Sequence, residues 1–191
     1  EFANVRGNLG LRAVETQLAI KQNVMGDQME NGNTNIDDGD VYASSTYYDL
    51  LPSLNASMDL ADNVILRAAW AKNMMPLDLN QWGDGLSVNF ARVDEPGSAN
   101  HGKFRATTGS ANGNPALEPW RSTNYDIGLE WYAGEASMAH ISLFMVDVDS
   151  FVQAGSTQMT VADETGYTDI SVSTPVQGDS GDVSGVEIGG K

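Results

Sequence analysis

The sequence predicts an all-β fold: a section of about six strands of an antiparallel up-and-down transmembrane β-barrel, with short turns at one end and long loops at the other. Three observations carry this. Several segments alternate apolar and polar residues with period two, which puts one kind of side chain on each face of a strand. The connections alternate short and long, and in an up-and-down sheet that sorts them to opposite ends. No apolar run approaches the ~18 residues of a membrane helix, so any membrane crossing falls to strands.

The first strand is expected at 3–20, where Ala3, Val5, Gly7, Leu9, Leu11 and Ala13 oppose Asn4, Arg6, Asn8, Gly10 and Arg12. Residues 21–46 fill with Gly, Asn and Asp and read as a long outer loop. A hairpin follows: strand 47–60, with Leu54, Ala56, Met58 and Leu60 on one face, the turn Ala61-Asp62-Asn63, and strand 64–73. Residues 74–121, with Pro76, Pro96, Pro115 and Pro119, read as a second outer loop; loops of this length are usually functional. In strand 122–132, Tyr125, Ile127, Leu129 and Trp131 share a face opposite Asn124, Asp126, Gly128 and Glu130. A turn at 133–136 leads into strand 137–149, and a third outer loop covers 150–166. The last segment, 167–190, is one irregular strand or two, interrupted at 178–182. The chain opens on Glu1-Phe2-Ala3-Asn4 and closes on Val186-Glu187-Ile188, both within strand patterns. The expectation is therefore a partial barrel domain over 1–191, an internal piece of a longer protein.

Composition excludes other classes. Ten Lys and Arg against 26 Asp and Glu give a net charge of −16, which argues against nucleic-acid binding. Cysteine is absent, and with it disulfides, thiolate metal sites and Cys nucleophiles. At 41% hydrophobic and 19% charged residues the chain is too apolar for a disordered segment. A soluble or surface-attached β-sandwich that binds glycans shares the alternation and stays open at this point. Trp131 and Tyr132 before a short turn, and Trp70 near the far end of its strand, stand where interfacial girdles of a barrel belong.

Particular motifs add a resemblance. Gly113-Asn114-Pro115-Ala116-Leu117-Glu118-Pro119, then Ser122-Thr123-Asn124-Tyr125-Asp126-Ile127-Gly128-Leu129-Glu130-Trp131-Tyr132, resembles the C-terminal barrel of TonB-dependent outer-membrane transporters. Leu143-Phe144 with Asp147-Val148-Asp149 fits the strand that follows. Gly7-Asn8-Leu9-Gly10-Leu11-Arg12, Tyr48-Asp49-Leu50-Leu51-Pro52-Ser53-Leu54-Asn55, Leu66-Arg67-Ala68-Ala69-Trp70-Ala71-Lys72 and Gly185-Val186-Glu187 are similar to further strands of that family, in its order. One departure is Met75-Pro76, where the family often has Arg-Pro. The resemblance implies a barrel of about 22 strands holding an N-terminal plug. It also implies import of a scarce ligand, driven by an inner-membrane energy-coupling complex through an N-terminal segment. The ligand classes it implies are a ferric siderophore, a cobalamin-like chelate and an oligosaccharide. Neither plug nor coupling segment is recognisable in these 191 residues.

Candidate functional residues follow from strand phase and loop chemistry. Asn4, Arg6, Asn8, Arg12, Ser53, Asn55, Asp59, Arg67, Asn124, Asp126, Glu130 and Glu187 are expected to face the lumen, the arginines pairing with the carboxylates or with the plug. In the second loop, Trp82, Phe90, His101, Phe104, Arg105 and Trp120 are the aromatic and basic residues that could stack on or pair with a ligand, or else pack the loop onto the rim. Asn33-Thr34-Asn35-Ile36-Asp37-Asp38-Gly39-Asp40 has the look of a calcium loop, but its glycine is one place late and Ser44 replaces the bidentate Glu, so a solvated loop is expected. His140 and Ser142 could form a lipase-type pair only on the lipid-facing side, and their phase is inward. No catalytic residue, metal or cofactor is expected.

Overall fold

A computed structural model describes residues 4–26, 37–83, 85–134 and 136–191. In chain order it contains β1 (Val5–Met25), β2 (Asp37–Ala61), β3 (Val64–Met75), the single helical turn α1 (Leu79–Trp82), β4 (Leu86–Arg92), β5 (Phe104–Ala111), β6 (Trp120–Gly134), β7 (Ser137–Ser150), β8 (Val152–Asp163), β9 (Gly166–Gln177) and β10 (Gly181–Gly190). All ten strands belong to one sheet, in the order β10-β7-β6-β3-β2-β1-β4-β5-β9-β8. The run from β10 to β1 is an antiparallel meander in chain order, a curved wall. Its β2–β3 and β6–β7 connections are tight, and the three long connections leave from the opposite end.

The long connections differ from their expected form. β1 and β2 continue into 21–46 and remain paired as far as Met25 and Asp37. The second connection contains α1 and the β4–β5 hairpin, and the third contains β8. Segment 167–190 is two strands with different neighbours: β9 pairs with β8 and β5, whereas β10 returns to the wall beside β7. These short elements gain their order from each other. Leu86, Val88, Ala106, Ile170 and Val172 form one buried cluster, and Leu77, Trp82 and Leu117 a second. Their alternation spans only a few residues between Gly- and Pro-rich stretches, so it is hard to see before the partners are known.

The wall has two chemically distinct faces. Cross-strand rows on one face read Val5–Met58–Leu66–Leu129–Ile141–Ile188 and Gly7–Ala56–Ala68–Ile127–Leu143–Val186. This face is uncovered: Leu9 is 79% exposed, Ile127 48%, Leu143 50% and Ile188 79%. A soluble sandwich would bury it against a second sheet. The opposite face carries Arg6, Ser57, Arg67, Gly128, Ser142 and Glu187 in one row.

β1 and β2 locate where the surroundings change. On β1 the apolar phase is odd from Val5 to Ala13 and even from Val14 through Leu18 to Ile20. The β1–β2 register runs without a shift through this point, from Val5↔Met58 to Asn23↔Asp40. The two faces therefore exchange polarity along one straight ladder. β2 does the same: Leu50 and Leu54 face out below, and Tyr47, Ala43 and Val41 face in above. Leu18 and Ile20 turn inward onto the Leu77/Trp82/Leu117 cluster, while Glu15, Gln17 and Lys21 take the outer face. Water outside and a packed loop inside account for the upper half; an apolar exterior accounts for the lower half. A charged row, Lys72–Thr123–Asp147–Asp182, marks the same limit on the other wall strands.

Two edges of the wall stay open among the described residues. β1 pairs with β4 only at Val24 and Met25, which leaves the rest of that side free, and β10 has no second neighbour.

Candidate functional site

Two regions can meet other molecules: the polar face of the wall and the folded connections at its rim. On the polar face, cross-strand spacing brings opposite charges together. Arg6 donates to Asp59 at 2.6 Å and Arg67 to Glu130 at 2.7 Å, and the Tyr132 hydroxyl also donates to Glu130 at 2.8 Å. Asn55 donates to Asn8 at 3.1 Å. The arginine side chains remain half-exposed, so these pairs orient the wall more than they stabilise it. Arg6, Asn8, Asn55, Arg67 and Glu130, together with Asp126, His140 and Ser142, line a concavity of about 590 Å³. Asn4 joins through its carbonyl, which accepts from the Asp59 amide at 3.1 Å. Arg12 shares the face opposite Leu51, and Glu187 sits opposite Ser142. Asn124 accepts from the Ser122 hydroxyl at 3.3 Å. His140 and Ser142 lie on this inner face, away from the apolar belt.

At the rim, the Gly113–Pro119 segment is a knot. The Trp82 indole N–H and the Tyr47 hydroxyl both donate to the Leu117 carbonyl at 2.7 Å. Gln22 and the Thr174 hydroxyl donate to the Gly113 carbonyl, and the Asn114 amide group reaches the Pro175 carbonyl at 2.9 Å. The segment thus ties β1, β2, α1 and β9 to one place. Arg121 anchors it to the wall, donating to Asp49 on β2 and to Glu118. The Asp49 side chain is 3% exposed, and its Oδ2 has no partner among the described residues.

This geometry separates the second-loop candidates by exposure. Trp82 is 3% exposed and spends its one donor on Leu117, so it is a packing residue. Trp120 and Phe90 are half-buried against the two loop clusters. Phe104 is half-buried, with its amide donated to Glu164 at 2.6 Å. Only His101 and Arg105 are exposed. The aromatics were the natural ligand candidates by type, but a small loop core needs the same side chains. Residues 33–36 of the calcium-like segment lie outside the described residues; Asp40 pairs with Lys21 at 2.8 Å.

Asp163 closes the β8–β9 turn and latches it to β5. One carboxylate oxygen accepts from the Thr165 amide and hydroxyl, at 2.8 and 2.7 Å; the other accepts from the Ala106 amide at 2.9 Å. With Glu164 on Phe104, two side chains stand in for a neighbouring strand along the edge of β5. Burial pushes the Asp163 carboxyl upward, but the bonds from Thr165, Ala106 and Thr168 outweigh it and hold it at about 2, below the ordinary 3.8. A lowered carboxyl stabilises the fold above its unfolded value and loses that contribution as pH falls through its folded value. The latch should therefore be intact above pH 3.8 and released toward pH 2. Asp163→Asn, which lacks the charge, should lower the hydrogen-exchange protection of the Ala106 amide at pH 6; unchanged protection would remove the latch from the account.

Comparison with known proteins agrees with this architecture. The family model described as "TonB dependent receptor-like, beta-barrel" matches residues 1–191. Among solved structures, a ferric enterobactin receptor mutant from Pseudomonas aeruginosa superposes with a TM-score of 0.57 at 16% identity, over 97% of this chain and 30% of that one. The siderophore receptor PirA from Acinetobacter baumannii gives 0.52 at 16% identity, over 93% of this chain and 25% of that one. The hemophore receptor HasR from Serratia marcescens gives 0.52 at 14% identity, over 96% and 28%. The chain thus spans a quarter to about a third of these receptors. No curated protein matches it. The uncovered apolar belt, the polar inner wall, the sorted connections and the full-length family match lead to one conclusion: the chain belongs to the TonB-dependent receptor β-barrel family of the bacterial outer membrane.

Proposed function

We propose that this chain is the wall and mouth of an outer-membrane importer that takes up a scarce ligand with energy supplied from the inner membrane. The observation that carries the proposal is the polarity exchange along the unbroken β1–β2 ladder, which fits a strand leaving lipid for water. The apolar belt contacts outer-membrane lipid. Further barrel strands pair with the open edges of β1 and β10, because lipid leaves an unpaired backbone unsatisfied. An N-terminal plug sits against the polar concavity and meets Arg6, Arg67, Asp126 and Glu130. The ligand meets the rim first, where His101 and Arg105 are accessible. Ferric siderophores, cobalamin-like chelates and oligosaccharides are the ligand classes considered, and the siderophore and hemophore receptors among the structural neighbours favour no single one of them at 14–20% identity.

The test is uptake by intact cells of radiolabelled ferric siderophores, cobalamin and oligosaccharides, with and without the parent gene and with a protonophore. Accumulation of one probe that needs both the gene and the proton gradient is expected. Equal accumulation in the deletion strain for every probe would contradict import.

A further inference from the structure

The strands at the rim nearly close a second, smaller barrel. In sheet order they are upper β2, upper β1, β4, β5, β9 and β8. The interior carries the Leu86/Val88/Ala106/Ile170/Val172 cluster. Curvature brings β8 back toward β2: both line one recess of about 340 Å³, β8 through residues 157–159 and β2 through Val41, Ala43 and Ser45. Between them the ring is open. β8 pairs with β9 alone, and β3 reaches β2 only from Ser53 downward. Two strand edges therefore face the same gap, β8 on one side and residues 41–47 of β2 on the other. No backbone bond crosses it among the described residues.

Neither edge has the usual protection. Exposed edges are normally blunted by charge, proline or a bulge. Residues 152–162 of β8 contain no charged residue and no proline, and the pairing with β9 runs without a register shift. Residues 41–47 contain no charge or proline either. The core is unfinished at the same place. Leu86, Val88, Ile170 and Val172 are at most 2% exposed, whereas Met159 and Val161 of β8 are only half-buried. No charged side chain lines the recess, and Val41, Ala43, Leu86, Ala111, Met159 and Val172 make much of its wall apolar. A pair of open edges and an unfilled apolar recess thus coincide.

We propose that a strand from another outer connection of the parent protein enters this gap, pairs with β8 and upper β2, and turns apolar side chains into the recess. The length of the parent supplies the occupant. This chain spans 25–30% of the receptors it superposes on, and its wall is open at β1 and β10. The strands that complete the wall bring their own outer connections to this rim. An added strand bonds through its backbone to both edges, and its period-two alternation sends every second side chain inward. Those side chains are uncharged, because the recess offers no counter-charge and a buried unpaired charge is costly. The inference rests on the barrel being completed by further strands, as in the import reading.

The experiment is amide-resolved hydrogen exchange on the ligand-free parent receptor in detergent. A strand with one neighbour bonds alternate amides and leaves the rest to water; a strand with two neighbours protects both sets. In β8 both sets should exchange at least about a hundredfold more slowly than free chain. Ala43→Arg puts a guanidinium into the recess and should return the set facing away from β9 to fast exchange, while the set bonded to β9 stays slow. Ser44→Arg, at an exposed position on the other face of β2, should leave both sets slow. Fast exchange of the outward set in the unaltered parent, the behaviour of an edge kept for a separate partner, overturns the proposal. Protection that Ala43→Arg leaves intact overturns it as well. The outward amides of β1 and β10 report barrel completion in the same data. If they are slow while those of β8 are fast, this proposal fails alone; if they are fast too, the completed barrel of the import reading fails with it.

Discussion

Replacing Ile127 with arginine should destabilise the parent barrel in lipid vesicles by about 2–4 kcal/mol, while arginine at Trp131 should cost about 0–1 kcal/mol. Both positions are on the same face of β6, about half-exposed in this chain, and in register with apolar partners. Ile127 lies within the belt, in the row of Ala56, Ala68, Leu143 and Val186. Trp131 lies at its margin, beside the tight β6–β7 turn. A membrane penalises charge by depth, whereas a soluble core penalises any buried arginine. Reversible urea unfolding of both variants in vesicles measures the difference. Equal large costs would point to a second protein layer over the belt.

Removing Arg121 should cost about 3–5 kcal/mol, the usual result of breaking one partner of a buried pair. The reason is Asp49: its side chain is almost wholly enclosed, and Arg121 is its only partner among the described residues. Without Arg121 the carboxylate is left uncompensated, and the Gly113–Pro119 knot loses its tie to β2. The double variant Arg121→Met with Asp49→Asn should recover most of the loss, because the penalty belongs to the charge left behind. Additive single effects in a double-mutant cycle would show that the pair is incidental.

What was legible in the sequence was the wall. Its strands keep one phase over many residues because each face meets a uniform environment, so Tyr125, Ile127, Leu129 and Trp131 announce themselves. The polarity exchange at Ala13–Val14 was present in the residues too, but a reading that looks for one apolar face per strand follows the alternation only to Ala13; the strand expected at 3–20 runs on to Met25. β4, β5 and β8 were hidden for another reason, whereas β9 lies within the segment expected as strand at 167–190. Val88 is buried only because distant segments meet, and local periodicity carries no record of that. Trp82 shows the same limit: side-chain type left ligand contact and loop packing both open, and its burial depends on Leu77 and Leu117 being folded against it.

The central claim is that the belt faces lipid, with the long connections outside the cell and the tight turns beneath. The chain has no cysteine, so single replacements are unique within it. Ala99→Cys in the long β4–β5 connection, Asp62→Cys in the β2–β3 turn and Ile127→Cys in the belt can be placed separately in the parent protein and exposed to a membrane-impermeant maleimide. The account predicts labelling of Cys at 99 in intact cells and of Cys at 62 only after the outer membrane is permeabilised. Cys at 127 should resist the reagent in both cases. Labelling of all three positions in intact cells would contradict it.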